Sequence, residues 1–214
     1  MAKQRLKSPR ARLFVALELP AELRDGIVEW QRRELRDPAL RAVKPESLHM
    51  TLAFLGYRPE KEIESIAEVA LGRGGAGSQG PPPAPEIELD PDPVAVPRRR
   101  PRLFALDARS DSAAALQAQV SIRLEQAHFY EPEKRPFWPH LTVARVRPEK
   151  RGGRKPAAVE SPPGPLTEHT FLRPIPLVRL VLFRSHLRRE GALYEPMAEL
   201  ELPTGPMTEN ETER

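Results

Sequence analysis

Two kinds of hydrophobic pattern alternate along the first third of the chain. A run of β-forming apolar residues at 12–19 is followed at 20–35 by apolar residues that recur about every 3.6 positions, as on one face of a helix. A second apolar run at 48–55 ends at Gly56 and precedes another helical pattern at 59–71. The pattern therefore predicts two successive strand–helix units.

The rest of the chain contains shorter apolar runs separated by turn-forming residues. Strands are predicted at 86–89, 102–107, 140–146, 177–183 and 193–202, and a third helix is predicted after the N-cap residue Ser110. Gly191 lies between the last two runs and indicates a hairpin. Residues 73–85 are rich in Gly, Ser and Pro, so we expect a mobile surface loop there. About seven strands and three helices in mixed order predict an α+β fold of antiparallel sheets with helices on their outer faces.

The composition limits the possible chemistry. With 214 residues, 39% of them hydrophobic, the chain is large enough for one domain or two lobes that share a core. We place this domain at 11–203, between a basic N-terminal tail at 1–10 and a C-terminal tail at 204–214. The absence of cysteine excludes disulfides, thiolate zinc sites, iron–sulfur clusters and cysteine nucleophiles. Any catalysis must use other groups.

Charge and hydropathy indicate where the protein works. The net charge of +4 does not by itself indicate a protein that binds polyanions. No apolar run approaches the roughly 20 residues that cross a bilayer, and the basic start of the chain has no apolar signal-peptide region. We therefore expect a cytoplasmic protein that is not bound to membranes, and nothing in the sequence indicates an obligate protein partner.

Two of the predicted strands repeat the same residue pattern. Residues 49–55 read His-Met-Thr-Leu-Ala-Phe-Leu, and residues 140–146 read His-Leu-Thr-Val-Ala-Arg-Val. With this composition a single His-x-Thr is expected by chance roughly 0.2 times. An internal duplication is the simple explanation for two copies.

The pattern places chemically useful side chains together. Side chains alternate along a strand, so each His projects from the same face as the Thr two residues later. If a pseudo-twofold axis relates the two halves, the pairs His49–Thr51 and His140–Thr142 meet across a central groove. Imidazoles can act as acid or base near neutral pH, and threonine hydroxyls can donate to phosphate oxygens. This arrangement favours phosphodiester chemistry over two competing interpretations, structural half-buried histidines and a zinc site. No Asp or Glu lies at ligand spacing beside either histidine.

The motifs and the segments around them resemble the bacterial and archaeal RNA 2′,3′-cyclic phosphodiesterases, formerly called 2′-5′ RNA ligases, of the two-histidine phosphoesterase superfamily. The similar segments are the opening strand at 12–20, the approaches to the two motifs at 44–49 and 135–140, and the closing hairpin at 182–196. The resemblance spans about 12–203. It implies two pseudo-symmetric α+β lobes around a central cleft.

The same resemblance implies an activity and residue roles. The activity is hydrolysis of a terminal 2′,3′-cyclic phosphate, on RNA ends or small cyclic nucleotides, to a 2′-phosphomonoester without a metal or other cofactor. His49 matches the proton donor to the departing 3′ oxygen, and His140 matches the base that activates water. Thr51 and Thr142 match the hydroxyls that hold the phosphate.

Three further residues are candidates for substrate binding. Arg145 lies five residues after His140, where the family often carries an arginine that contacts phosphate, and Phe54 is equivalent in the first motif. Strict alternation would point both away from the histidine face, so a strand twist or bulge is needed for either to reach a ligand. Trp138 could stack on a nucleobase, although aromatic residues before a strand more often belong to a core.

Other functions fit parts of the sequence. A relative acting on another cyclic or 2′-5′ linked nucleotide, including the reverse ligation, would use the same residues. An RNA-binding module without turnover would use the groove and the basic clusters at 98–102 and 147–155, but the intact histidines and threonines argue against it. We expect His128, His169 and His186, which have no partner pattern, to be solvated or structural.

Overall fold

The structure is a computed structural model that describes residues 9–73, 80–150, 152–167, 173–188 and 191–205. In chain order its helices and strands are β1 (Arg10–Glu18), α1 (Ala21–Glu34), β2 (Leu40–Ala42), β3 (His49–Pro59), α2 (Ile63–Leu71), β4 (Glu86–Leu89), β5 (Val94–Val96), β6 (Leu103–Arg109), α3 (Asp111–Gln126), β7 (His140–Val146), β8 (Ile175–Pro176), β9 (Arg179–Arg188) and β10 (Gly191–Glu201). Within these ranges no helix is long and apolar enough to span a membrane.

The strands form two sheets, and every pairing between the described strands is antiparallel. One sheet has four strands in the order β10-β9-β1-β3. The other has six, in the order β2-β7-β6-β4-β8 with β5 paired to β6. The predicted α+β fold of antiparallel sheets is confirmed. Each sheet contains one of the two strands that begin with the repeated histidine, β3 and β7, which we call the motif strands.

Most of the predicted elements are present. The three helices form, and Ser110 caps α3, since its Oγ accepts a hydrogen bond from the backbone N–H of Ala113 at 2.9 Å. The hairpin around Gly191 joins β9 to β10. The sequence pattern misses β2, β5 and β8 because each has only two or three residues, too few to show a periodicity.

The prediction that the first motif strand ends at Gly56 is wrong. β3 continues to Pro59, and Gly56, with a φ of 69°, pairs with Leu13 inside the sheet. Glycine adopts this left-handed conformation at little cost, so here it permits a bulge within the strand instead of ending it. The helix expected from residue 59 starts at Ile63, because Pro59 still belongs to β3 and Glu60–Glu62 form a 3₁₀ turn.

Some predicted segments lie outside the described residues. They are 74–79 in the expected mobile loop, 1–8 in the N-terminal tail and 206–214 in the C-terminal tail. The mobility of that loop and the domain limits 11–203 stay predictions.

The two sheets and three helices share one hydrophobic core. Trp30 of α1 is fully buried in this core, and its Nε1–H donates to the carbonyls of Gly164 and Pro165 at 3.3 and 3.2 Å. The other face of β1 and β9 carries a separate small cluster. Its buried members are Phe14, Ala16, Val181 and Phe183. β1 is therefore covered on both faces, and the small cluster forms the floor beneath the candidate site.

Each motif strand contains an extra residue at the same place in the motif, and β3 contains a second one, Leu55, beside Gly56. At the shared place the extra residue on β3 is Leu52, directly after Thr51, and on β7 it is Val143, directly after Thr142. In each bulge the extra residue and the alanine that follows it are both buried. Beyond this point the alternation of faces is shifted by one residue.

Each bulge accepts a hydrogen bond from the side chain of a different glutamine, which lies on a helix behind the sheet. The Nε2–H of Gln31 on α1 donates to the carbonyl of Val143 at 2.7 Å and to that of Val43 at 3.0 Å. The Nε2–H of Gln117 on α3 donates to the carbonyl of Leu52 at 3.4 Å. A bulge disrupts the hydrogen-bond ladder, and these side chains add donors at the bulged carbonyls; that of Val143 also accepts from the backbone N–H of Val43 at 3.0 Å. Each bulge thus accepts a glutamine hydrogen bond, from α1 in one sheet and from α3 in the other.

Replacing Gln31 with methionine tests this support. Methionine has a similar size but no donor, so we expect Gln31→Met to lower the free energy of unfolding by about 1–2 kcal/mol. Urea denaturation gives the measurement, and Gln119→Met, on the exposed side of α3, is the matched control. Equal changes in the two variants would contradict the proposed support of the bulge.

Candidate active site

The two motif strands approach each other where the sheets meet, with Cα atoms of β3 and β7 within 8 Å. His49 with Thr51 lies on one side, and His140 with Thr142 lies on the other. The positive charges of Arg145 and His140 both act on His49, an effect that requires these groups to be close. The structure therefore brings both predicted His–Thr pairs and the predicted arginine into one cleft.

His49 is held by two hydrogen bonds from its own strand region. Its Nδ1 lies 2.8 Å from the carbonyl oxygen of Ser47, and its Nε2 lies 3.1 Å from Oγ1 of Thr51. Because a carbonyl can only accept, Nδ1 carries the proton in the neutral ring, and Nε2 carries the lone pair. Nε2 and the Thr51 hydroxyl are therefore adjacent polar groups of the site.

Aromatic rings surround His49 on the floor of the cleft. Its ring centroid lies 5.0 Å from that of Phe14, 6.2 Å from that of Phe183 and 5.1 Å from that of Tyr194, whose ring meets it edge-on at 85°. Phe54 extends this surface, 5.9 Å from Phe14. The apolar floor fixes the orientation of the imidazole and removes water from one of its sides.

His140 has a different environment. Its Nδ1 lies 2.8 Å from the carbonyl oxygen of Trp138, which repeats the arrangement at His49, where the carbonyl also comes from two residues earlier. The indole of Trp138 stacks on the imidazole, with centroids 3.9 Å apart and an angle of 14° between the planes. The Trp138 Nε1–H donates to Oδ1 of Asp107 at 2.8 Å. The second imidazole is therefore positioned by a stacked ring instead of an aromatic floor.

Burial lowers the pKa of both histidines. For His49 burial is the largest cause, Arg145 and His140 lower the pKa further, and the hydrogen bond to Ser47 raises it, which leaves the pKa at about 4. Burial also lowers the pKa of His140, against the raising effects of the Trp138 carbonyl and the Asp107 carboxylate. Both imidazoles are thus predominantly neutral in the free protein at neutral pH.

The bulge that Arg145 and Phe54 need to reach the histidine face is present in each motif strand. The bulges at Leu52 and Val143 shift the alternation, so both side chains return to the histidine face. Phe54 is 54% exposed and Arg145 is also exposed. Contact of either residue with a phosphate or a base stays a prediction.

The alternative interpretation that Trp138 belongs to the core is wrong, since it is 37% exposed. Its indole is kept at the surface by the hydrogen bond to Asp107 and by the stacking on His140. Phe137, by contrast, packs against the main core.

The other predicted residues lie elsewhere. His186 pairs with Glu195 at 2.7 Å on the terminal hairpin, and His169 lies outside the described residues. His128, at a φ of 60°, follows the end of α3. In the basic clusters, the arginines at 98–100 are exposed and Lys155 pairs with Glu149 at 2.8 Å.

Sequence reasoning missed Asp107, Phe14 and Tyr194 as neighbours of the histidines. Asp107 faces His140 only because of the register between β6 and β7, which a single sequence does not reveal. Tyr194 belongs to the closing hairpin that resembles the family, but that resemblance assigns it no role. In the part of the chain that the structure describes, no three His, Asp or Glu side chains come together in a cluster that could hold a metal.

The chain is similar to a known protein family and to individual bacterial proteins. Residues 19–167 match the model of the 2′-5′ RNA ligase superfamily. A Thermus thermophilus protein named RNA 2′,3′-cyclic phosphodiesterase is 32% identical over 196 residues, which cover 89% of this chain and 90% of that protein. An Escherichia coli protein with the same name is 29% identical over 187 residues, 87% of this chain and 93% of that protein.

Solved structures share the fold. A crystal structure of a Thermus thermophilus protein has a TM-score of 0.70 and 27% identity, covering 90% of this chain and 98% of that chain. The apo form of Escherichia coli LigT has a TM-score of 0.67 and 24% identity, covering 92% of this chain and all of the other, and shows the same fold. With the match to the family model over most of its length, this chain belongs to the 2′-5′ RNA ligase superfamily.

Proposed function

We propose that this protein hydrolyses the 2′,3′-cyclic phosphate at the end of an RNA or on a small cyclic nucleotide and leaves a 2′-phosphomonoester. The proposal is supported by the closeness of His49 to His140, Arg145 and the Thr51 hydroxyl, with Thr142 two residues after His140 on β7. Relatives named RNA 2′,3′-cyclic phosphodiesterase support this substrate class.

The reaction needs two proton transfers on opposite sides of the phosphorus. His140 takes a proton from water as the water oxygen bonds to phosphorus, and His49 gives a proton to the 3′ oxygen as the bond between that oxygen and phosphorus breaks. Exchange of one proton between the imidazoles and solvent restores the starting state. Thr51 and Thr142 donate hydrogen bonds to the non-bridging oxygens, and Arg145 offsets their negative charge.

The electrostatics of the free protein oppose one part of this assignment. A single proton on the pair prefers His140, because burial and the charge of Arg145 lower the pKa of His49 more strongly. An anionic cyclic phosphate beside Arg145 and His49 offsets the arginine charge and favours the protonated form of His49. Substrate binding therefore prepares the proton donor. We propose that no metal takes part, because the two imidazoles and the arginine supply the proton transfers and the positive charge.

The first test is to identify the product. A short RNA with a 2′,3′-cyclic phosphate, incubated with the protein and EDTA, should gain one water and end in a nucleoside 2′-phosphate, identified by mass and by comparison with authentic 2′- and 3′-phosphates. A 3′-phosphate, or recovery of activity only with an added metal, would overturn the mechanism. Joining to a 5′-hydroxyl RNA would favour a ligase, and tight binding without turnover would favour a binding module.

The pH dependence should report the two imidazoles. The productive free protein carries one proton on the pair, so it is populated between the two pKa values of the pair. Both lie below the ordinary 6.5, so kcat/KM should peak on the acid side of neutrality and fall as the pH rises through 6.5. The alkaline limb of kcat should lie at higher pH, because the bound anion raises the pKa of His49. Coincident limbs in the two profiles would contradict preparation of the donor by substrate.

Single histidine variants should separate the two limbs. We expect His49→Ala and His140→Ala each to lower kcat by about 10²- to 10⁴-fold, with Thr51→Ala and Thr142→Ala costing less. His49→Ala should lose the alkaline limb, and His140→Ala should lose the acid limb. Exchange of these two outcomes would reverse the donor and acceptor assignments.

Arg145 can be tested through both binding and pH. We expect Arg145→Leu to lower kcat/KM about 10- to 100-fold through loss of a charge-assisted contact with phosphate. It should also move the acid limb of kcat/KM to higher pH, because Arg145 lowers the pKa of His49, the imidazole that loses its proton first in the free protein. Arg32→Leu, at an exposed position on α1, is the control. Phe54→Leu should change substrate fit or stability more than proton transfer. If Arg145→Leu matched its control, Arg145 would lie outside the site.

A further inference from the structure

Each histidine faces a carboxylate on the neighbouring strand, but the two carboxylates have different partners. In the first half Glu18 of β1 is the cross-strand partner of His49, and an ion pair of 2.8 Å joins it to Arg179. In the second half Asp107 of β6 is the cross-strand partner of His140. Asp107 accepts the hydrogen bond from the indole of Trp138.

The Trp138 side chain connects this carboxylate to the histidine. Its indole lies nearly parallel to the imidazole of His140 at 3.9 Å, while its own carbonyl oxygen accepts the hydrogen bond from Nδ1 of the same ring. The intervening Pro139 is tied to β6, because the backbone N–H of Ala108 donates to its carbonyl at 3.0 Å. The imidazole is thus limited in both its position and its rotation.

We infer that Trp138 and Asp107 form a positioning pair for His140, in which Asp107 fixes the indole and the indole holds the imidazole with its Nε2 toward the cleft. This inference rests on the proposed function for its kinetic consequences. The imidazole of His140 covers the face of the indole nearest the site, so that face is not free to stack on a nucleobase. The first half has Ser47 at the position of Trp138, and there Phe14 and Tyr194 hold the imidazole instead.

The charges near His140 come from two neighbouring strands. Asp107 on β6 favours the protonated imidazole, and His49 on β3 can acquire a positive charge beside it, whereas the charge of Arg145 acts on His49. Removal of the Asp107 charge should therefore lower the pKa of His140. The carboxylate thus has two separable effects, a hydrogen bond to the indole and a charge beside the imidazole.

Three variants separate these effects. Asp107→Asn keeps an oxygen acceptor for the indole and loses the charge, Trp138→Phe keeps a ring for stacking and loses the hydrogen bond, and Trp138→Ala loses both contacts of the side chain. We expect Trp138→Ala to lower kcat about 10- to 100-fold with little change in KM, since a misplaced base slows proton transfer more than binding. Trp138→Phe should restore a large part of kcat. Asp107→Asn should move the alkaline limb of kcat/KM to lower pH, because in the free protein the last proton of the pair stays on His140.

An NMR titration of the His140 imidazole in the substrate-free protein tests the pair without relying on turnover. The pKa of His140 should fall in Asp107→Asn and stay unchanged in Asp90→Asn, whose carboxylate pairs with Arg109 away from the cleft. If the wild-type protein proves inactive, the proposed function is contradicted. The positioning pair is still tested, because the NMR titration does not require turnover. An unchanged His140 pKa in Asp107→Asn overturns the inference. The inference is also overturned if Trp138→Ala keeps kcat but raises KM by an amount that differs between substrates with different terminal bases. That result would mean that Trp138 stacks on the base of the substrate.

Discussion

One extra residue in each motif strand determines what the candidate site can contain. Leu52 and Val143 interrupt the pairing with the neighbouring strand, and the side chains of Phe54 and Arg145 that follow them change face. Without these bulges, Arg145 would point into the core side of its sheet. Gln31 on α1 and Gln117 on α3 donate hydrogen bonds to the carbonyls of the two bulges. The packing of these helices behind the sheets therefore affects the position of Arg145, the candidate for phosphate binding. Fold and site therefore depend on the same local irregularity.

The sequence predicts the parts of the structure that depend on local pattern. The helices, the longer strands and the two His–Thr pairs follow from periodicity and from a repeated motif. Register and bulges do not, because they depend on which strands become neighbours. For this reason strict alternation misplaces Arg145 and Phe54, Gly56 resembles a strand end, and nothing in the sequence links Asp107 to His140. The expectation of a buried Trp138 fails for a related reason, since its stacking partner and its acceptor lie on two different strands.

The two His-x-Thr motifs share several contacts but differ in their surroundings. Both histidines donate from Nδ1 to the carbonyl two residues earlier, and both face a carboxylate across the strand pair. His49 lies on an aromatic floor near Arg145, which favours a neutral ring until an anion binds. His140 is stacked on Trp138 near Asp107, which makes it easier to protonate. These opposite environments give two chemically identical side chains different acid strengths, and a reaction with one donor and one acceptor requires such a difference.

The central claim is that both imidazoles act on one bound phosphate. A titration of the ¹⁵N-histidine-labelled protein with a nucleoside 2′-phosphate, followed by NMR of the two imidazoles, tests it most directly. The account predicts that the ring nitrogens of His49 and His140 respond together with a single dissociation constant, and that the pKa of His49 rises in the complex. A response at only one histidine, or two different dissociation constants, would contradict a shared site.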